Sequence, residues 1–362
     1  MKVADLVRAM EAIAPPRFAA AWDNVGLLVG DGEGALGGVL LTIDCTSDVI
    51  GEARGAKHDA IVTYHPPIFD AQKRFVAPSV AYEAARAGIS VYAPHTALDV
   101  AEGGTNDVLA DTLGMSERRP LRVLEVEDAE IKLVTFVPEG HVDAVSRAVF
   151  EAGAGIIGKY SSCSFRTPGT GTFFGEEGAR PVVGQPGRLE HAAEVRLETV
   201  VTSGAVDRVV RALRASHPYE EPPFDLVRLA APPSRRGFGR VGTVPVTPVC
   251  ALVERVKAAI GANHVLVVGA LDRSVSRVAV CAGSGGDLLP DVLASGAELF
   301  VTGELRHHDA LRAAAAGLTA LCVLHSTSER IALHGLEKRL AEHLPGVRIA
   351  RSHADQEPFV YA

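Results

Sequence analysis

At 362 residues the chain is long enough for about two domains, and its 47% hydrophobic and 22% charged residues are enough for a large core. The formal charge of −8 argues against a duplex-binding protein, which needs a basic face, but leaves a small anionic substrate open. No stretch approaches the ~18–20 apolar residues of a membrane span, the N-terminus carries Asp5, Arg8 and Glu11 where a signal peptide is apolar, and five cysteines without a C-x-x-C predict a reduced, cytoplasmic protein.

The elements alternate. The apolar run 38–44 ends on Asp44, a helix is predicted near 47–56, and the strand AIVTY (60–64) is stopped by Pro66 and Pro67, which cannot donate to a ladder. A helix near 78–87 leads through Gly88 into the strand ISVYA (89–93). The C-terminal part repeats the plan: strands at 277–283, 297–303 and 318–324, with helices at about 288–295, 305–316 and 326–342. This predicts an α/β fold with a mostly parallel sheet, built from two related βα halves. Between them, strands at 131–138, 160–167, 170–174, 194–201 and 223–230 and helices at 141–153 and 205–218 follow the order of a ferredoxin-like α+β module. The segment 231–239 is a linker by composition. The expected division is a discontinuous core, 1–125 and 235–362, with an inserted domain at 126–234.

Ligands of open α/β sheets bind outside the carboxyl ends of the strands, and here those ends carry chemistry: Tyr64 and His65, His95 with Asp99, Glu304, and His325 with Glu329. His325 and Glu329 stand four apart at a predicted helix start, so both side chains share a face. Histidines and carboxylates from separate strand ends fit a divalent transition-metal site, in which a carboxylate can bridge two ions. Each piece also has an ordinary reading: a histidine at a strand end is commonly a hydrogen-bonded structural residue, and H-x-x-x-E is a common helix pair.

Weaker signals accompany these. The turn GSGGD (283–287) could offer backbone N–H groups to an anion or simply be a tight βα turn. Ser284, Glu304 and His325 stand in hydrolase order, a pattern that a glycine run produces by chance. His307 and His308 lie near the helical face of Glu304, as proton shuttles or as solvated surface residues. HPYEEP (217–222) in the insert suggests a structural turn or a subunit contact, and WDNVGLLVG (22–30) suggests a packing and turn element.

The segments WDNVGLLVG, IVTYHPPIF, HTALDVAEGGTND, HPYEEP, AELFVTGELRHHDAL and HSTSER, in this order over nearly the whole chain, resemble the Nif-three-like proteins, dinuclear-metal-centre proteins described as GTP cyclohydrolase I type 2 homologs. The resemblance implies a homohexamer with one or two divalent metal ions per subunit (zinc, iron, manganese or nickel) and an insert similar to PII- and CutA-like modules. Position by position, it implies His65 and His325 at one metal, Asp99 at the other, Glu329 bridging both, and His95 as a ligand or its support. Tyr64 stands where many bacterial members have a histidine, and would either offer a phenolate oxygen or weaken one metal position. The implied activity is metal-dependent hydrolysis that opens the guanine ring of GTP with release of formate, with His95, Glu304 and His308 moving protons and Lys73, Arg74 and Arg330 meeting the triphosphate. The alternatives are a non-catalytic metal-binding scaffold or regulator and a nucleotide phosphoesterase. No nucleic-acid or membrane partner is implied.

Overall fold

The computed structural model describes residues 1–124, 130–230 and 234–360. It divides into two compact units, residues 1–124 with 234–362 and residues 125–233. The expected division at 125/126 and the first three residues of the expected 231–239 linker lie outside the described residues. Among the described residues no helix is long and apolar enough to cross a membrane.

The larger unit contains two sheets, each with three parallel strands at its centre. In the first, Gly38–Thr42, Ala60–Thr63 and Ser90–Ala93 lie side by side, Arg348–Arg351 extends the parallel set, and Gly26–Val29 closes the far edge antiparallel. Alternation along a strand sends its side chains to opposite faces. Leu41, Val62 and Tyr92 therefore pack under the helices Val3–Ile13 and Ala332–His343, while Leu40, Ile61 and Val91 pack under Ser47–Gly55 and Val80–Arg86. Val3, Leu6, Met10 and Ile13 show why the first helix forms, with one buried residue at each turn.

The second sheet repeats this centre with Ser274–Ser284, Leu299–Glu304 and Thr319–Cys322, and is flanked by antiparallel strands on both sides. Val278, Val280 and Val301 face the helices Thr105–Thr112 and Val249–Ile260; Ala279, Cys281 and Phe300 face Leu289–Ala294 and His307–Ala315. The parallel character that the alternating elements imply thus dominates the first sheet and is confined to the centre of the second. Arg240, 2% exposed, ties this sheet to the rest of the unit by a two-pronged bond to Asp107 (2.7 and 3.0 Å) and bonds to the carbonyls of Ala101, Gly237 and Gly239.

The long helix expected at 326–342 is two helices, His325–Arg330 and Ala332–His343.

The smaller unit is a four-stranded antiparallel sheet, Glu130–Pro138, Ser164–Phe174, Leu189–Thr202 and Phe224–Arg228, with the helices Val142–Glu151 and Val206–Ser216 on one face. With its strands numbered in chain order, the spatial order is four, one, three, two, as in a ferredoxin-like module. The strands expected at 160–167 and 170–174 are a single strand. Its Pro168 is tolerated because the strand lies at the sheet edge, where a missing donor breaks no second ladder.

Candidate metal centre

The aromatic and imidazole groups of the site sit just past strands of the two parallel centres. Tyr64 and His65 follow Ala60–Thr63, His95 follows Ser90–Ala93, and His325 follows Thr319–Cys322. The turns are sharp. His95 has φ +32° and Leu324, immediately before His325, has φ +73°, both in the region that L side chains rarely adopt. Strain of this kind persists where the surrounding structure over-determines it, and it clusters at functional corners.

His65, His325 and Glu329 converge, with one ligand atom from each lying within 4.8 Å of the others. The Nε2 of His65 is 3.3 Å from Glu329 Oε2, and that of His325 is 3.2 Å from Oε1. Each imidazole is fixed from behind: Asp44 lies 2.9 Å from His65 Nδ1, and Glu304 lies 3.1 Å from His325 Nδ1. A carboxylate on Nδ1 sets the tautomer and directs Nε2 at the shared carboxylate, the arrangement of metal-binding histidines. Glu329 is 3% exposed, and the only approach to its Oε2 among the described residues is the 3.3 Å ion-pair contact of His65 Nε2, which is not a well-formed hydrogen bond. Gly283 makes room for it: at φ +66°, a Cβ there would stand 2.7 Å from Glu329 Oε1 and 3.4 Å from His325 Nε2.

The electrostatics are those of a cation site. The hydrogen bond to Glu329 pushes His325 up to about 9 against the cost of burial. Burial also opposes the charge on His65, but its bonds to Asp44 and Glu329 carry it up to about 10. Glu329 itself stays low despite burial, held by both imidazoles. Asp99 stands next to this group. Burial, reinforced by repulsion from Glu329, raises its carboxyl to about 6. The Tyr64 hydroxyl donates to Asp99 and lies 2.9 Å from Thr105 Oγ1. Burial first, then Asp99 and Glu329, hold Tyr64 as a phenol, so the oxygen that the Tyr64 position brings is a donor committed to Asp99.

His95 packs its ring 5.4 Å from that of His65, with its Nδ1 held by Asp23 at 2.8 Å and its Nε2 without a hydrogen bond among the described residues. His308 is exposed, meets the His307 ring edge to face and is not among the converged ligands. Arg330 is taken by Asp355 (2.7 Å), while Lys73 and Arg74 are exposed. Ser284 forms no triad, because both nitrogens of His325 face carboxylates. The glycines of the 283–287 turn are required by packing against Glu329, Thr302 and Asp309.

Sequence reasoning missed two supports. Asp23 belongs to a segment read as packing, yet Trp22 is 63% exposed, and Asp23 anchors His95 and accepts from the backbone N–H of Thr96. Asp44 was visible only as a strand-end residue, although an acid one strand away from a strand-end histidine is the available signal.

Two imidazole nitrogens converging on one buried carboxylate make a donor set suited to zinc, iron, manganese or nickel. Fold and site together define an α/β protein with a possible His–His–Glu metal centre at the carboxyl ends of two parallel strand sets. The chain belongs to the Duf34/NIF3 (NGG1p interacting factor 3) family, whose model matches residues 1–358. It is 39% identical over 336 residues to a Mycobacterium leprae protein named GTP cyclohydrolase 1 type 2 homolog, covering 91% of this chain and 87% of that one. A Bacillus subtilis protein of the same name is 35% identical over 365 residues, covering 98% and 97%. Among solved structures, the Bacillus cereus protein related to NIF3 is 31% identical with a TM-score of 0.71, and the Staphylococcus aureus protein SA1388 is 28% identical with a TM-score of 0.83; each covers 100% of this chain and 99% of its own.

Proposed function

We propose that the protein is a metal-dependent hydrolase that opens the guanine ring of GTP and releases formate, working at His65, His325 and Glu329. The observation that carries the metal part is the pair of Nε2 atoms aimed at one buried carboxylate, with both Nδ1 atoms fixed by Asp44 and Glu304. The guanine part rests on the name that the curated relatives carry.

A divalent ion bound there supplies Lewis acidity, which acidifies water toward neutral pH and polarises a substrate oxygen. The chain's own residues supply the rest. Asp44 and Glu304 keep the imidazoles in the tautomer with Nε2 available. Asp99, with its raised pKa, lies ready as a second carboxylate ligand. His95, oriented through Nδ1 by Asp23, keeps Nε2 free to exchange a proton with the reacting ring. Glu304 is exposed and engaged with His325, and His308 is exposed, so we assign proton transfer to His95. Lys73 and Arg74 are the cations proposed to meet the triphosphate. A homohexameric assembly is part of the same reading. It is supported by the exposed pair Trp22 and Phe69, in tilted contact (5.8 Å between rings) beside His95, which another copy would cover.

The test is metal content per subunit by elemental mass spectrometry on the wild type and Glu329→Ala, followed by formate release from GTP. Bound metal and formate in the wild type, both lost in the variant, are the expected result. Phosphate without formate would replace ring opening by phosphoester hydrolysis. Metal without turnover of any nucleotide would leave a binding or scaffolding role, and a wild type that takes up no metal would overturn the reading.

A further inference from the structure

The HPYEEP segment, which the metal centre does not use, builds one wall of a cavity in the smaller unit. Its anchor is His217, 7% exposed. The Tyr219 N–H donates to His217 Nδ1 (3.1 Å), so the ring's proton sits on Nε2, which donates to the carbonyl of Phe136 (3.0 Å). Burial favours this neutral ring. The segment is thereby pinned to the sheet, with Pro218 and Pro222 stiffening both ends. In the motif's acidic pair, Glu220 accepts from the backbone N–H of Arg180 (3.3 Å), which draws in the opposite wall.

The cavity so enclosed measures about 680 Å³, within the range of small-molecule sites. It lies over the sheet, where the cross-strand neighbours Phe136 and Arg196 contribute to its floor. Leu133 and Val137, which alternate with Phe136 along the strand, point the other way into the helix-covered core. Phe136, Phe173, Pro168 and Val182 make much of the lining apolar.

Into this lining projects Glu194, only 8% exposed. Its Oε1 accepts from the Tyr219 hydroxyl at 2.6 Å. Its Oε2 lies against Gly171, where a Cβ would collide with it, so the glycine is the cradle of this carboxylate. Two arginines line the cavity, but among the described residues neither pairs with Glu194: Arg196 is paired with Glu198 and lies over the Phe136 ring, and the exposed Arg180 makes no ion pair with Glu194. A buried carboxylate with one hydrogen bond and no counter-charge is costly. An apolar cavity that retains one is complementary to an apolar body bearing a cationic nitrogen.

We propose that the smaller unit binds a small organic amine or amidine through Glu194, with the ligand's apolar body against Phe136 and Phe173. The site shares no residue with the metal centre, and the proposal is independent of the activity proposed there.

The test uses the full chain and two probes of one shape, phenethylamine and its neutral counterpart 2-phenylethanol, titrated by calorimetry. Phenethylamine is expected to saturate the wild type at one site per chain. The alcohol should bind at least tenfold more weakly, and Glu194→Gln, which keeps an acceptor for Tyr219, should weaken the amine at least tenfold without changing metal content. The comparison of the two probes on wild type needs no variant to fold. Equal binding of amine and alcohol, no saturable binding of either, or unchanged amine affinity in Glu194→Gln would overturn the proposal. Sedimentation velocity on the same samples reads the competing occupant: amine binding absent, with Glu194→Gln altering the state of association, would make this cavity an interface between copies and overturn the ligand site.

Discussion

Asp44 and His65 face each other at 2.9 Å across the ends of two neighbouring parallel strands, the acid from one and the base from the other. Neither is placed by its own local structure. The register Thr42↔Thr63 puts the two chain exits level, and the Thr46 hydroxyl, capping the helix Ser47–Gly55 at Val49 N (3.3 Å), turns the chain just after Asp44. Asp44→Asn should leave the fold intact and lower metal affinity about 10–100-fold, since supports of this kind tune a ligand without touching the ion. Competition with a chromophoric chelator measures it.

Gly283→Ala makes a sharper test of the same geometry. The added methyl would press on Glu329 Oε1 and would sit at a φ of +66°. Metal content should fall as Glu329 is displaced, with a stability loss of about 1–3 kcal/mol from the strained backbone, read by thermal unfolding of the metal-free protein.

The pH dependence follows from the two imidazoles. Their metal-free values, about 10 for His65 and about 9 for His325, lie above the ordinary 6.5. Metal must displace both protons, so affinity should rise with pH up to about 10, with a slope approaching two decades per pH unit below about 9, where both are protonated, and one decade between about 9 and 10. For metal-free stability the sign is opposite. A raised folded pKa stabilises fully below pH 6.5, and that contribution fades as pH climbs through 9 and 10. Zinc titrations and urea midpoints between pH 6 and 10 test both directions, and a pH-independent affinity would contradict the assignment of these histidines.

Tyr64→Phe separates a ligand from a support. The phenol donates to Asp99 and contacts Thr105, so its removal should cost about 1–3 kcal/mol by leaving Asp99 short of a donor. The metal held by His65, His325 and Glu329 should remain. Loss of that metal in a folded variant would show that the phenol oxygen belongs to the coordination set.

The sequence by itself determined the strands and their exits. The runs read as strands at 60–64, 89–93 and 318–324 match the parallel strands Ala60–Thr63, Ser90–Ala93 and Thr319–Cys322 to within two residues, and the polar residues at or beyond their ends mark the ligand edge, because a parallel sheet buries both faces and leaves function only at its rim. Periodicity likewise exposed the two-helix insert. The pairing across distance was not legible. Asp23 and His95 are 72 residues apart, Asp44 and His65 are 21 apart, and Glu194 and Tyr219 are 25 apart; nothing local requires either member to meet the other. Only the tertiary structure decided which carboxylate backs which imidazole, which of the strand-end histidines share Glu329, and that HPYEEP walls a cavity. Side-chain direction at a strand exit depends on sheet register and on which residues lie across the rim, and both are long-range properties.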